Sequence, residues 1–149
     1  MLKIEDIMDM WKKDCVLDPM QLSDATVQNA RIHAKYLEML TTSRLLLKRT
    51  EMQQKTLLRD KWLYYTGVMS QAEMDERGWD YDPFKGARKP LKSDMGYFYE
   101  SDEDLQKSEA KIQYIKTTIE ALESIMQTIT WRHQSIRNLI ETERMTSMP

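Results

Sequence analysis

From Leu105 onward, positions three and four residues apart alternate along one apolar stripe: Leu105, Ser108, Ile112, Ile115, Ile119, Leu122, Met126, Ile129, His133, Ile136 and Ile140. About five heptads without a break demand a long helix whose seam must be covered. Ile125 and Leu139 widen the stripe. Just upstream, Ser101-Asp102-Glu103-Asp104 reads as a capping serine followed by three acids in the first turn, where they suit the helix dipole. A helix is therefore expected over 102–144, with a frayed end beyond it. Its seam is met by an antiparallel helix of the same chain, by further copies of itself, or by both. Two helices of such length cannot bury both faces, so self-association is expected, with Ile112, Ile115, Ile119, Leu122, Met126, Ile129, His133, Ile136 and Ile140 as the oligomerisation residues. His133 is read as a register-setting polar residue rather than a ligand.

The antiparallel partner is visible in the first half of the chain. There are only 4 Gly and 4 Pro in 149 residues, which favours long helices. Asp18-Pro19 suits a helix start, and no Gly or Pro follows until Gly67. A helix over 19–66 would span roughly 70 Å. Its first half offers an apolar face through Leu22, Leu37, Leu40 and Leu47, while residues 48–56 are almost wholly polar. Residues 1–16 hold a short amphipathic helix with Ile4, Ile7, Met8 and Trp11 on one face. It is too short to stand alone and is expected to dock on the body. Residues 67–101 form the connection. Ser70-Gln71-Ala72-Glu73 reads as a capping box for a short helix that Gly78 ends. A loop with Trp79, Tyr81 and Phe84 and the cations Lys85, Arg88, Lys89 and Lys92 follows. Trp79 and Phe84 are expected to pin this loop and leave its cations in solvent. The fold class is all-α, as a single domain over 1–149. A short N-terminal helix precedes two long antiparallel helices, which are joined by an irregular aromatic and basic segment with short helices.

Several function classes lack candidates. No apolar run approaches a membrane span, no signal peptide precedes the first helix, and Cys15 alone fits a reducing compartment. No glycine loop for phosphate is present, and neither His33 nor His133 has a metal-type neighbour at helical spacing. No catalytic residue, metal site or cofactor is expected. The acids of residues 75–82 and 100–104 are better explained as helix starts than as magnesium ligands. A metal-dependent nuclease is therefore the weakest reading.

The net charge of -2 hides blocks of opposite sign. Residues 44–61 carry Arg44, Lys48, Arg49, Lys55, Arg59 and Lys61 against Glu51 and Asp60. At about 100° per residue, Arg44, Lys48, Lys55, Arg59 and Trp62 fall within roughly 60° of one another, a basic stripe running into a ring. Lys61 points to the other side with Tyr65. Cations bind phosphate whatever the base, and aromatic faces stack on unpaired bases. The plainer reading makes Trp62, Leu63 and Tyr65 core residues and the cations a solvated rim.

Three stretches together resemble the UvsY family of phage recombination mediators. They are the run from Leu57 to Gly67 (LLRDKWLYYTG), the acidic start SDEDL at Ser101, and WRHQSIR from Trp131. The resemblance spans nearly the whole chain and rests on order and spacing. It implies a non-enzymatic protein of the host-cell cytoplasm, phage-encoded, that binds single-stranded DNA and assembles as a closed homo-oligomer. Such a protein helps a RecA-like recombinase replace a single-strand-binding protein. It also implies that Arg59 and Lys61, the basic pair before the two tyrosines, contribute to strand binding. With the stripe, the expected DNA-binding residues are Lys48, Lys55, Arg59, Lys61, Trp62 and Tyr65. The rival is a helical oligomeric scaffold without nucleic-acid binding.

Overall fold

The computed structural model describes residues 1–148. It is all-α, with no strand among the described residues. Helix α1 spans Ile4–Asp14, α2 Leu22–Tyr65, α3 Gln71–Arg77, α4 Met95–Glu100 and α5 Glu103–Thr146, with a 3-10 turn at Lys92–Asp94 before α4. The sequence reads as one domain, yet the chain packs as two compact units. One is Met1–Leu46 together with the chain from Ile115 onward; the other is Leu47–Tyr114.

In the first unit, α2 and α5 run antiparallel: the Asn29 amide lies 3.5 Å from the Ile129 carbonyl, and Arg44 pairs with Glu123 at 2.9 Å. Their facing stripes bury Leu22, Ala25, Ile32, Tyr36 and Leu40 from α2 and Ile115, Ile119, Leu122, Ile125, Ile129 and Ile136 from α5. Helix α1 docks on this body, as its amphipathic face requires. Ile7 is fully buried, and Trp11 meets Tyr36 edge-on at 5.5 Å. Four polar contacts fix its end. The Tyr36 hydroxyl and the Lys35 ammonium both donate to the Asp14 carboxylate, at 2.9 and 2.7 Å. The buried Arg132 guanidinium reaches the carbonyls of Asp14 and Val16, both at 3.0 Å. Burial works against ionisation of Asp14, but the bonds from Lys35 and Tyr36 outweigh it and hold the carboxyl below its usual value.

The α5 seam is met within the chain, which is one of the covers its heptads allow. Ile112, Ile115, Ile119, Leu122, Ile129 and Ile136 are buried within the single chain, and Met126 and Ile140 are half-buried. Most of the seam is thus covered by packing within the chain. His133 is exposed beside the seam. Helix α2 also begins later than Pro19. The Asp18 carboxylate accepts the Met20 N–H at 2.9 Å and shapes a turn, so the helix starts at Leu22.

In the second unit, two glycine stops work as the sequence indicates. Gly67 has φ +80°, with Val68 N–H reaching the Leu63 carbonyl at 3.0 Å and Gly67 N–H the Tyr64 carbonyl at 3.3 Å. That pair of bonds closes α2 and needs a residue in the left-handed region, where glycine carries no Cβ penalty. Gly78 ends α3 in the same way, and the Ser70 hydroxyl accepts the Glu73 N–H at its start. The core here is aromatic: Tyr64, Tyr65, Met69 and Met74, flanked by Leu63, Trp79, Phe84, Met95, Phe98 and Tyr99.

Candidate nucleic-acid interface

The last turns of α2 send their side chains in two directions. Outward go Lys48, Lys55, Arg59 and Trp62. All four are exposed, Trp62 to 54% and the Arg59 side chain to 68%. Among the described residues, Lys48 and Lys55 form no ion pair. Arg59 leans on Asp60 at 3.1 Å, and Asp60 is held from the other side by Arg77 at 2.8 Å. The Arg59 side chain is itself exposed, and the buried Asp60 keeps its bond to Arg77 when Arg59 leaves, so a phosphate can take Arg59 over. Arg44, the first cation of the stripe, is paired with Glu123.

Inward go Lys61 and Tyr65, the two residues of the expected DNA-binding set that the fold buries. Lys61 is 4% exposed. Its ammonium lies 2.9 Å from both Asp102 and Asp104 and 3.9 Å from the centre of the Trp79 ring. The Trp79 indole N–H donates to Asp104 at 3.0 Å, and the Tyr65 hydroxyl donates to Asp102 at 2.7 Å. Asp102 also caps α5 by accepting the Leu105 N–H at 3.0 Å, so the cap sits one residue beyond Ser101. Burial raises the Asp102 carboxyl, but the bonds from Tyr65, Leu105 and Lys61 prevail and hold it below the usual range. The Tyr65 phenol is pushed up by burial and then by its bond to Asp102. The pair of cations is therefore split: Arg59 is available to phosphate, and Lys61 ties α2 to α5 and to Trp79. The physical reason is the roughly 200° between the two positions on a helix. Lys61 shares its face with Leu57, Tyr64 and Tyr65, which the core claims.

Sequence reasoning missed the partners of Lys61, because a pairing across 41 and 43 residues leaves no mark at helical spacing. It also missed Arg132. The one available signal for Lys61 was its place on the aromatic face.

The loop after α3 behaves as expected. Trp79 and Phe84 pack into the aromatic core, with Phe84 5.1 Å from Phe98 and 6.0 Å from Tyr65. Lys85, Arg88, Lys89 and Lys92 are exposed. A cleft of about 510 Å³ opens beside the Lys61 network, with Arg77, Asp80, Asp82 and Lys85 on its walls. Of the nearby acids, Asp82 takes backbone N–H groups of its own loop, and Asp75 on α3 takes the Tyr81 hydroxyl. No group of three or more metal-type ligands occurs among the described residues.

The chain is thus of the class of charged, wholly helical proteins, with a basic, aromatic-ended helix face and, among the described residues, no helix long and apolar enough to cross a membrane. The particular family follows from comparison with known proteins. The family described as "Recombination, repair and ssDNA binding protein UvsY" matches residues 10–148, and the chain belongs to it. It is 25% identical over 138 residues to the recombination protein uvsY of Enterobacteria phage T4, covering 93% of each chain. Its fold is similar to crystal structures of the bacteriophage T4 recombination mediator protein UvsY. One superposes with a TM-score of 0.82 at 21% identity, covering 99% of this chain and 100% of that one. Another crystal form gives 0.78 at 22% identity over 95% and 99%. Recombination and repair is thus the family role.

Proposed function

We propose that this chain, phage-encoded and acting in the host-cell cytoplasm, binds single-stranded DNA along the outer face of α2. As a closed homo-oligomer it then helps a RecA-like recombinase replace a single-strand-binding protein. The observation that carries the reading is the outward set of Lys48, Lys55, Arg59 and Trp62, on one face and ending in an exposed ring. Cations follow the phosphates, and the indole offers a stacking face that an unpaired base can use. Each stripe is a weak site, and repetition around an oligomer converts several weak sites into one firm hold. A strand bent over such an assembly grips its single-strand-binding protein less tightly, which opens a place for the recombinase to nucleate. Lys61 and Tyr65 serve this site by fixing the end of α2 rather than by touching DNA.

The test is recombinase loading. Single-stranded DNA is coated with its binding protein, and the recombinase's DNA-dependent ATP hydrolysis is followed with and without this chain. A shortened lag is the expected result. An unchanged lag, with the chain folded and associated, would overturn the mediator role.

A further inference from the structure

The segment 85–92 is Lys-Gly-Ala-Arg-Lys-Pro-Leu-Lys, four cations in eight residues without an acid. In a chain of net charge -2 this is an unusual concentration. All four are exposed, and among the described residues none forms an ion pair. Of the flanking acids, Asp102 and Asp104 are paired with Lys61 and Asp82 is bonded to backbone N–H groups of its own loop, so none of these three is ion-paired with the run.

The run is also held in place. At one end Phe84 is seated against Tyr65 in the last turn of α2. The Asp82 carboxylate gathers the N–H groups of Phe84 and Gly86, and Lys85 and Gly86 both adopt left-handed backbone at φ +52° and +84°. Left-handed backbone costs a residue with a Cβ about 1 kcal/mol, so the turn at Lys85 is imposed by its surroundings. Pro90 stiffens the far end. Beyond it, Leu91 is 73% exposed and Tyr97, on α4, is 71% exposed, with Lys92, Ser93 and one acid, Asp94, also exposed between them. Unpaired cations followed by an open ring repeat the composition of the α2 stripe on a separate element.

We propose that residues 85–97 form a second surface for single-stranded nucleic acid, in which Lys85, Arg88, Lys89 and Lys92 take phosphates and the Tyr97 ring takes a base. This rests on the strand-binding reading above and adds a surface to it. A pinned loop loses little entropy on binding, so its cations are effective where the same charges on a free tail would not be. The surface also restores, on the outside, cationic charge that burial of Lys61 removes from the end of α2.

The experiment compares the full chain with a variant carrying Lys85→Gln, Arg88→Gln, Lys89→Gln and Lys92→Gln, and with Arg59→Ala. All are confirmed as folded by thermal melting and titrated with a fluorescent oligothymidylate at several salt concentrations. The loop variant is expected to bind about ten-fold or more weakly and to lose roughly 0.7 of salt slope per phosphate contact, up to about 3 in all. Photocrosslinking of the unmodified chain to 4-thiothymidine DNA is expected to label Tyr97. If the loop variant keeps wild-type affinity and slope while Arg59→Ala weakens binding, the second surface is overturned and the α2 site stands. Loss of self-association with strand affinity intact also overturns it and makes the loop a protein contact. If the unmodified chain binds no DNA at low salt, both readings fall together.

Discussion

Arg59 and Lys61 are two residues apart and have opposite fates. For Arg59→Ala, the buried Asp60 keeps Arg77 at 2.8 Å, and the expected cost in stability is about 1 kcal/mol or less. Lys61→Ala leaves Asp102 buried without its cation, and breaking a buried pair costs about 3–5 kcal/mol. Chemical denaturation at neutral pH measures the difference; equal midpoints for the two variants would contradict the split. Any loss of DNA binding in Lys61→Ala must accordingly be read against its melting. The same network fixes a pH dependence. The Asp102 carboxyl is held low in the folded chain. Its contribution is therefore fully present above the ordinary carboxylate value, about 3.9, and is lost as pH falls through the lower folded value. Asp102→Asn can still cap Leu105 but removes this titration, so its acid destabilisation should be shallower than that of the unmodified chain. Identical acid profiles would show that another group dominates. At this scale the sequence was half legible. The outward direction of Arg59 and Trp62 and the inward direction of Lys61 and Tyr65 follow from 100° per residue. What Lys61 meets does not, because Asp102 and Asp104 reach it only through the fold.

The elements were easier to read than their partners. The heptads ending at Ile140 announce α5, and Gly67, Gly78 and Ser70 punctuate the connection where the structure does. Periodicity states that a seam must be covered without stating by what; in the first unit α2 of the same chain packs against it, and the periodicity alone does not choose between that helix and another copy. The start of α2 was misplaced because Asp18-Pro19 suits a turn as well as a helix cap. Arg132 was also opaque: on α5 it reads as a surface cation, yet it holds two carbonyls at the end of α1. Arg132→Ala should therefore loosen α1 ahead of the rest. Hydrogen exchange of the Ile4–Asp14 amides should accelerate at least ten-fold, with the α5 core unchanged. Uniform protection in the variant would mean that Ile7 and Trp11 suffice to hold the helix.

For the whole molecule, the buried seam moves the question of self-association to what remains uncovered. In the first unit, α2 leaves Val27, Leu37 and Leu45 exposed along its outer side, with Ala30, Ala34 and Thr41 between them. Small residues permit close approach, and the larger ones give apolar area to bury. This face is the proposed contact with a second copy. Leu37→Glu with Leu45→Glu should lower the sedimentation coefficient toward the monomer while leaving the melting temperature within a few degrees. An unchanged assembly would place the contact elsewhere. Strand affinity should fall with the assembly, since each stripe alone is weak.

The central claim is that an exposed cationic and aromatic face of α2 holds single-stranded DNA. The most direct measurement is fluorescence anisotropy of single-stranded and duplex oligonucleotides at several salt concentrations, with protein of known association state, beside Arg59→Ala. The account predicts salt-sensitive preference for the single strand, weakened by Arg59→Ala with a shallower salt slope and no loss of assembly. Absence of binding at low salt by the folded, associated protein, or wild-type affinity in Arg59→Ala, would contradict it.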